Sequence, residues 1–417
     1  MSEYVTKINH CRCCKNENLI TLMDLGEQAL SSRFPKADEP DVFKTPLVLV
    51  KCDDRNSNAC GLIQLLHNTS QDELYMNNYG YRSGLNASMV KHLGELIKEI
   101  ENRIVLNDGD VVLEIGGNDS TSAKAYSNMN LKRYVIDPTG TQFKQYYPDY
   151  ITLIPDYFTK TVYDQHIKEK AKVITTICML YDLPDLESFV QDVKDCLADD
   201  GVWVSEQSYA ITMFENNSFD TIVAEHLEYY CLKQIQYICD KVGLEIIDVS
   251  LNNCNGGSFR LTIAHPGKYP VLSSVSKLRQ QEDALDISNL QPIYDFITRV
   301  EKLKEELVSF LKAEKAKGKT IYLLSCSTKG NCLLNYYGLD PTIITAGAEI
   351  NPNKFGSFTP GSRIPIISDV QMREEKPDYL LCLAWHFKAS FLLREEEYIK
   401  NGGQMIFPLP TFEIYSK

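Results

Sequence analysis

The chain has 417 residues, enough for two or three domains, with 44% hydrophobic and 24% charged content, ordinary for a globular protein. Its formal net charge of −13 argues against a general nucleic-acid or anionic-membrane surface, and no stretch approaches the roughly eighteen consecutive apolar residues of a membrane span. The first residues, with Glu3 and Lys7 and no apolar run, do not read as a secretory signal. Thirteen cysteines then fit a reducing cytoplasmic setting, some binding metal and most packing in cores.

Cys11 and Cys14 form a C-x-x-C pair, and Cys52 and Cys60 follow after a long gap. Two thiolate pairs at the ends of a small loop-rich segment suit tetrahedral zinc. The second pair is spaced more widely than usual, and its insert Asp53-Asp54-Arg55-Asn56-Ser57-Asn58 is turn-rich and free to bulge outward. Four cysteine ligands leave no open position, so this metal would fold residues 1–75 rather than catalyse. Cys13 is a spare thiol between the first two ligands. Next comes Tyr75-Met76-Asn77-Asn78-Tyr79-Gly80-Tyr81-Arg82-Ser83-Gly84, which offers stacking faces and hydrogen-bonding tips, or serves as a packed connector. A helix is predicted over Ser88–Arg103, burying Met89, Leu93, Leu96, Ile97 and Ile100.

The apolar run Val111-Val112-Leu113 leads to Glu114-Ile115-Gly116-Gly117-Asn118-Asp119-Ser120 and a helical-looking Thr121–Tyr126. An open α/β sheet builds a nucleotide pocket at such a first strand-to-helix turn. A second strand, Arg133–Ile136, ends in Asp137, placed to accept hydrogen bonds from ribose hydroxyls. Asn118 and Thr121 stand where G-x-G-x-x-G has its second and third glycines. Without the glycines that make room for a pyrophosphate, NAD and FAD are disfavoured. S-adenosylmethionine needs no phosphate cradle; Glu114 or Asp119 would serve its amino-acid end and Asp137 its ribose. Gly116, Asp156, Tyr157 and Phe158 are further cofactor candidates.

Strands over Lys172–Ile177 and Gly201–Ser205, a helix over Leu186–Leu197 and late strands over Leu244–Val249 and Ser258–Ile263 predict a parallel sheet flanked by helices, the domain 76–270. Within it, Glu225-His226-Leu227-Glu228-Tyr229-Tyr230 sets an imidazole beside a carboxylate, suited to proton abstraction; the plainer reading is the start of a surface helix. Asn252–Arg260 supplies amides before a strand and reads as a turn. After Pro266 the pattern changes to a long helix over Pro292–Ala316 and strands at Thr320–Leu324, Tyr379–Leu383 and Gln404–Phe407, a second α/β domain over 271–417. Its loop Ser325-Cys326-Ser327-Thr328-Lys329-Gly330-Asn331 offers phosphate a helix N-terminus, without the spacing of a nucleotide triphosphatase.

In their order these motifs resemble the three-domain S-adenosylmethionine-dependent sugar C-methyltransferases that act on nucleotide-linked 4-keto-6-deoxyhexoses. The match runs through the four cysteines, Tyr79-Gly80-Tyr81-Arg82-Ser83-Gly84, Glu114–Asp119, Asp182-Leu183-Pro184-Asp185, Glu225–Tyr230 and Asn255–Arg260. It continues through Ser327–Asn331, Asn351-Pro352-Asn353-Lys354-Phe355-Gly356 and Ala384-Trp385-His386-Phe387. The resemblance implies a zinc-binding domain, a Rossmann-like class I methyltransferase sheet and a second Rossmann-like domain that binds the sugar nucleotide. It implies a structural zinc, S-adenosylmethionine, a thymidine- or guanosine-diphosphate sugar, and a monomer or weak dimer.

It further implies C-3 methylation through an enolate, with His226 as base and Glu225 orienting it. Tyr79 or Tyr81 would touch the sugar or hold the oxyanion. Arg82, Ser83 and Asn255 would contact the sugar nucleotide, and Lys329, Asn331 and Lys354 are the candidates for its diphosphate. Some relatives carry a tyrosine at Val223, a histidine at Asp182 and a glycine at Ser120. An O-methyltransferase on the same substrates, or a non-catalytic zinc module, are the rival readings.

Overall fold

In the N-terminal segment the computed structural model pairs Val5–Lys7 (β1) with His67–Thr69 (β5). It lays Leu19–Ala29 (β2), Lys44–Cys52 (β3) and Ile63–Leu65 (β4) side by side as an antiparallel sheet. The described residues are 4–55, 58–76 and 79–417. Asn56 and Ser57 of the turn-rich insert, and Asn77 and Asn78 of the aromatic segment, lie outside them.

The helix Ala87–Arg103 is capped by Asn86, whose side chain accepts from Ser88 N at 2.9 Å, and it buries the five predicted apolar residues. Then come Val111–Ile115 (β6), Lys132–Ile136 (β7), Ile151–Ile154 (β8), Ala171–Ile177 (β9), Leu197–Ser208 (β10), Glu228–Tyr229 (β11), Glu245–Asn252 (β12) and Ser258–Ala264 (β13). The central sheet has the order β12-β13-β10-β9-β6-β7-β8, and β13 runs antiparallel to both neighbours. The parallel pattern expected of the late strands fails at β13 for a simple reason. Only Asn253–Gly257 separate β12 from β13, whereas a parallel crossover needs a dozen residues or so. The helix expected over Thr121–Tyr126 is a single short turn, Ala123–Ala125.

The C-terminal sheet is built from Ile321–Leu324 (β14), Ala346–Glu349 (β15), Ile366–Ser368 (β16), Tyr379–Leu381 (β17), Gln404–Phe407 (β18) and Glu413–Tyr415 (β19). Its order is β16-β15-β14-β17-β18-β19, parallel except for β19. Strand order reverses between β6 and β9 in the central sheet and between β14 and β17 in this one. Loops leaving the carboxyl ends part company at such reversals and open a crevice.

The sheets interlock. Strand β11, contributed by the central chain segment, pairs with β4 of the N-terminal sheet through Glu228↔Gln64 and Tyr229↔Ile63. The run Glu225–Tyr230 is therefore a buried junction rather than a surface helix start. The helix Ser273–Leu285 packs on β12, and its Glu282 accepts from the Leu232 N–H and the Tyr209 hydroxyl. No helix among the described residues is long and apolar enough to cross a membrane.

Candidate active site

A cavity of about 360 Å³ opens at the β6/β9 reversal. Glu114, Gly116, Asn118, Asp137, Tyr157 and Phe158 from the expected cofactor set line it, together with Tyr79, Tyr81 and Ser83. The turn after β6 needs its glycines. Gly116 has φ +73°, and a Cβ on Gly117 would lie 2.6 Å from Val135 and 2.9 Å from Glu114. Ser120 also takes a positive φ, 62°, but its hydroxyl points out of the cavity toward the Tyr146 carbonyl, 3.5 Å away. A side chain at this glycine position thus costs backbone strain and no room for a ligand.

The acids of this turn are already engaged. Asp137 accepts from Asn118 N (2.6 Å), Thr139 N (2.7 Å) and the Thr139 hydroxyl (2.6 Å), three of the roughly four acceptor sites of a carboxylate. One remains for a ribose hydroxyl. Glu114 accepts from the Ser122 hydroxyl and from Ala123 N at 3.2 Å, and burial pushes its carboxyl up to about 7. Asp119 faces away from the cavity and accepts from Gly84 N at 3.0 Å and from the Thr121 hydroxyl at 2.5 Å. With the Asn118 side chain, which accepts from Ser83 N and donates to the Tyr81 carbonyl, it clamps the 81–84 segment across the turn. Arg82 lies over the Tyr146 ring, 4.1 Å from its centroid, rather than in the cavity. Asp156 is exposed, and its carboxylate accepts from Tyr157 N.

His226 does not line this cavity. It stands in a small neighbouring recess with Tyr181, Thr221 and Tyr229. The Tyr181 ring lies 4.2 Å from the imidazole, and Tyr181 O accepts from Leu227 N at 2.8 Å. The expected orientation of His226 by Glu225 is not what holds it: Glu225 accepts from the Ser31 hydroxyl at 3.2 Å, while His226 Nδ1 lies 2.8 Å from the Thr221 carbonyl oxygen. A carbonyl only accepts, so Nδ1 carries the proton and Nε2 keeps its lone pair. Burial, then the charge of Lys329, lower the imidazole to about 3. Val223, where relatives have a tyrosine, is buried.

Lys329 enters from the first turn of the helix Thr328–Tyr337, beyond the β14/β17 reversal, and donates to the Asn255 carbonyl at 2.9 Å. Its charge also reaches His386, Asp220 and Cys178. Trp385, after β17, donates from its indole N–H to Asp220 at 3.1 Å. Residues beyond the C-terminal reversal thus reach the surroundings of His226. Asn331 is buried and donates to the Ser31 carbonyl at 2.7 Å. Lys354 stands against the loop that carries Lys329: its ammonium donates to the Cys326 carbonyl at 2.9 Å, lies 3.6 Å from Glu349 and covers the Phe34 ring. Sequence reasoning gave no role to Asp220, to the Thr221 carbonyl or to His386, although His386 stands in the Ala384–Phe387 motif.

The sulfurs of Cys11, Cys14, Cys52 and Cys60 all lie within 4.8 Å of one another, with Cys11–Cys60 and Cys14–Cys52 each at 3.5 Å. Tetrahedral zinc at 2.3 Å from each sulfur requires separations of about 3.8 Å, so the donor set fits. Asn16 donates its amide N–H to Cys52 Sγ at 3.4 Å, a hydrogen bond that favours the thiolate. Cys13 is buried outside the set.

Fold and site define the class: a methyltransferase that uses S-adenosylmethionine and is built on a structural zinc. Three family models match in series, a zinc binding domain over residues 11–75, a methyltransferase domain over 89–249 and a C-methyltransferase C-terminal domain over 253–410. The chain is 28% identical to the C-methyltransferase NovU of Streptomyces niveus over 423 aligned positions, covering 100% of this chain and 99% of that one. The three matches in series and this full-length likeness mark it as an S-adenosylmethionine-dependent C-methyltransferase. Among solved structures it is similar to the N-methyltransferase NodS from Bradyrhizobium japonicum, with 13% identity, 43% of this chain and 98% of that chain covered, and a TM-score of 0.31. An S-adenosylmethionine-dependent methyltransferase from Clostridium acetobutylicum gives 13% identity, 43% and 92% coverage, and a TM-score of 0.32.

Proposed function

We propose that this enzyme methylates C-3 of a nucleotide-diphosphate-linked 4-keto-6-deoxyhexose in the making of a deoxysugar. The observation that carries the reading is the fixed tautomer of His226, which leaves an unprotonated Nε2 in a recess that adjoins the cofactor cavity and is reached by the charge of Lys329. The ketone acidifies the C-3 hydrogen; Nε2 removes it, and the negative charge moves to the ketone oxygen. S-adenosylmethionine supplies the electrophilic methyl group that the C-3 carbanion takes.

A base lowered to about 3 is weak. Part of that lowering is the charge of Lys329, and an anionic acceptor beside Lys329 removes it, so the base strengthens as substrate arrives. In this division of labour residues 1–75 bind zinc, 76–270 hold the methyl donor, with Tyr79 or Tyr81 against the sugar, and 271–417 receive the nucleotide. The thirteen unpaired cysteines suit a cytoplasmic, reducing location.

His226→Ala should abolish turnover while S-adenosylmethionine affinity, measured by calorimetry, stays within a few fold. Near-native turnover in that variant would show that the base lies elsewhere. A panel of thymidine- and guanosine-linked sugars tests the acceptor: the 4-keto forms should gain a methyl group and the reduced forms should not.

A further inference from the structure

One polar group in the cofactor cavity has no task in the account so far. Asp182 ends the short turn Leu180–Asp182 that follows β9, and it lines the cavity beside Tyr79 and Cys178. Among the described residues its Oδ1 is buried and makes no well-formed hydrogen bond, although the Tyr75 hydroxyl stands close enough to favour the charged form. Leaving a carboxyl oxygen buried and poorly paired is costly, so the arrangement favours a further partner from the cavity that Asp182 lines. The same turn carries Tyr181, whose ring lies against His226 and whose carbonyl is tied to Leu227 N. Asp182 and the imidazole are therefore fixed to each other through one turn, Asp182 on the side of the cofactor cavity and His226 in the adjoining recess.

We infer that the carboxyl of Asp182, which lines the cavity one residue from the ring that packs on His226, donates the hydrogen bond that holds the acceptor's ketone oxygen while charge develops on it. The inference rests on the functional reading above. The groups that face Asp182 are the hydroxyls of Tyr75, Tyr79, Tyr181 and Tyr229 and the carboxyl of Glu225. Burial, opposed by the Tyr75 hydroxyl and helped by the like charge of Glu225, raises its carboxyl well above the usual carboxylate range. His226 is pushed the other way. Two groups driven apart in this manner by their surroundings make a base and a donor that coexist at one pH. Tyr79 also lines the cavity, but a carboxylic O–H is the stronger donor to an oxyanion.

The electron count closes. As Nε2 takes the C-3 proton, the C–H pair becomes a C3=C4 bond and the C4=O π pair moves onto oxygen, which accepts from the Asp182 O–H. When C-3 takes the methyl group, the oxygen pair restores C4=O, the C3=C4 pair forms the new C–C bond, and the C–S pair stays on sulfur. Asp182 keeps its proton throughout, and the C-3 proton leaves through His226 to solvent.

The test compares Asp182→Asn, whose amide still donates, with Asp182→Ala, which cannot. Exchange of the C-3 hydrogen for deuterium is followed in deuterated water with S-adenosylhomocysteine bound and a 4-keto-6-deoxyhexose nucleotide as acceptor, alongside methyl turnover. Measured with saturating S-adenosylmethionine or S-adenosylhomocysteine, Asp182→Ala should slow both by about 100- to 1,000-fold, the usual loss for an oxyanion donor, and Asp182→Asn should stay within about tenfold of the wild type. Should the alanine variant fail to fold, the asparagine variant decides alone, and a loss beyond about 100-fold overturns the assignment. Equal losses in both variants, or an alanine variant close to wild type, overturn it as well. A wild type that neither exchanges nor methylates any ketosugar overturns the functional reading, and the role of Asp182 falls with it.

Discussion

His226 and Glu228 stand two residues apart, and burial is the first cause of displacement in both. The imidazole is held at about 3, below its ordinary 6.5. Between those values the unfolded chain takes a proton that the folded chain refuses, so His226 withdraws stability as pH falls through that window. The Glu228 carboxyl is held at about 7, above its ordinary 4.5. Between 4.5 and 7 the folded chain keeps a proton that the unfolded chain has lost, so Glu228 withdraws stability as pH rises. The charge of Arg12, the hydrogen bond from the Tyr230 hydroxyl and the charge of Lys15 offset this in part. Glu228→Gln removes that dependence. Between pH 5 and pH 8 the wild type should lose on the order of 2 kcal/mol more than the variant in urea unfolding, whereas parallel losses would mean that Glu228 titrates normally.

Two short elements depend on contacts that a single atom would upset. The 81–84 segment is strapped to the cofactor turn by Asn118 and Asp119, and a Cβ on Gly84 would lie 2.4 Å from Asp119 Oδ2. Gly84→Ala should therefore weaken S-adenosylmethionine binding by about tenfold with little change in melting temperature, since the clash displaces the strap rather than the core; calorimetry with the alanine variant gives the answer. In the cysteine cluster, Cys14→Ser should lose zinc by metal analysis and Cys13→Ser should retain it.

These same elements show how far sequence carries. Four cysteines, the glycine turn and the stripe Met89–Ile100 declare themselves, because ligand type, backbone freedom and helical period are local properties. Gly84 was visible only as part of a motif, and its reason, Asp119, lies 35 residues away. The reversed strand β13 was legible in the brevity of its link to β12 and was missed because apolar pattern alone does not give direction. The Thr221 carbonyl that orients His226 carries no side-chain mark at all, and the poorly paired oxygen of Asp182 exists only once three separate segments meet.

At the scale of the molecule, Lys329 reaches from beyond the C-terminal sheet's reversal to the Asn255 carbonyl in the turn before β13, and its charge acts on His226. Lys329→Met should raise the acceptor KM by about tenfold or more and leave methyl-donor affinity alone; an unchanged KM would remove the C-terminal crevice from the acceptor site. The zinc segment is coupled to the same place, since β11 completes the N-terminal sheet and directly follows His226 and Leu227 in the chain. Removing zinc with a chelator should therefore abolish turnover although the metal touches no reacting atom, and full activity in zinc-free protein would contradict that coupling.

The central claim, methyl transfer to the carbon beside a sugar ketone, is tested most directly by one measurement. The enzyme is incubated with S-adenosylmethionine carrying a ¹³C methyl group and a 4-keto-6-deoxyhexose nucleotide, and the product is examined by carbon NMR. The account predicts a single labelled methyl bonded to C-3, coupled to a carbon. A labelled methyl on oxygen, or equal methylation of the reduced 4-hydroxy sugar, would contradict it.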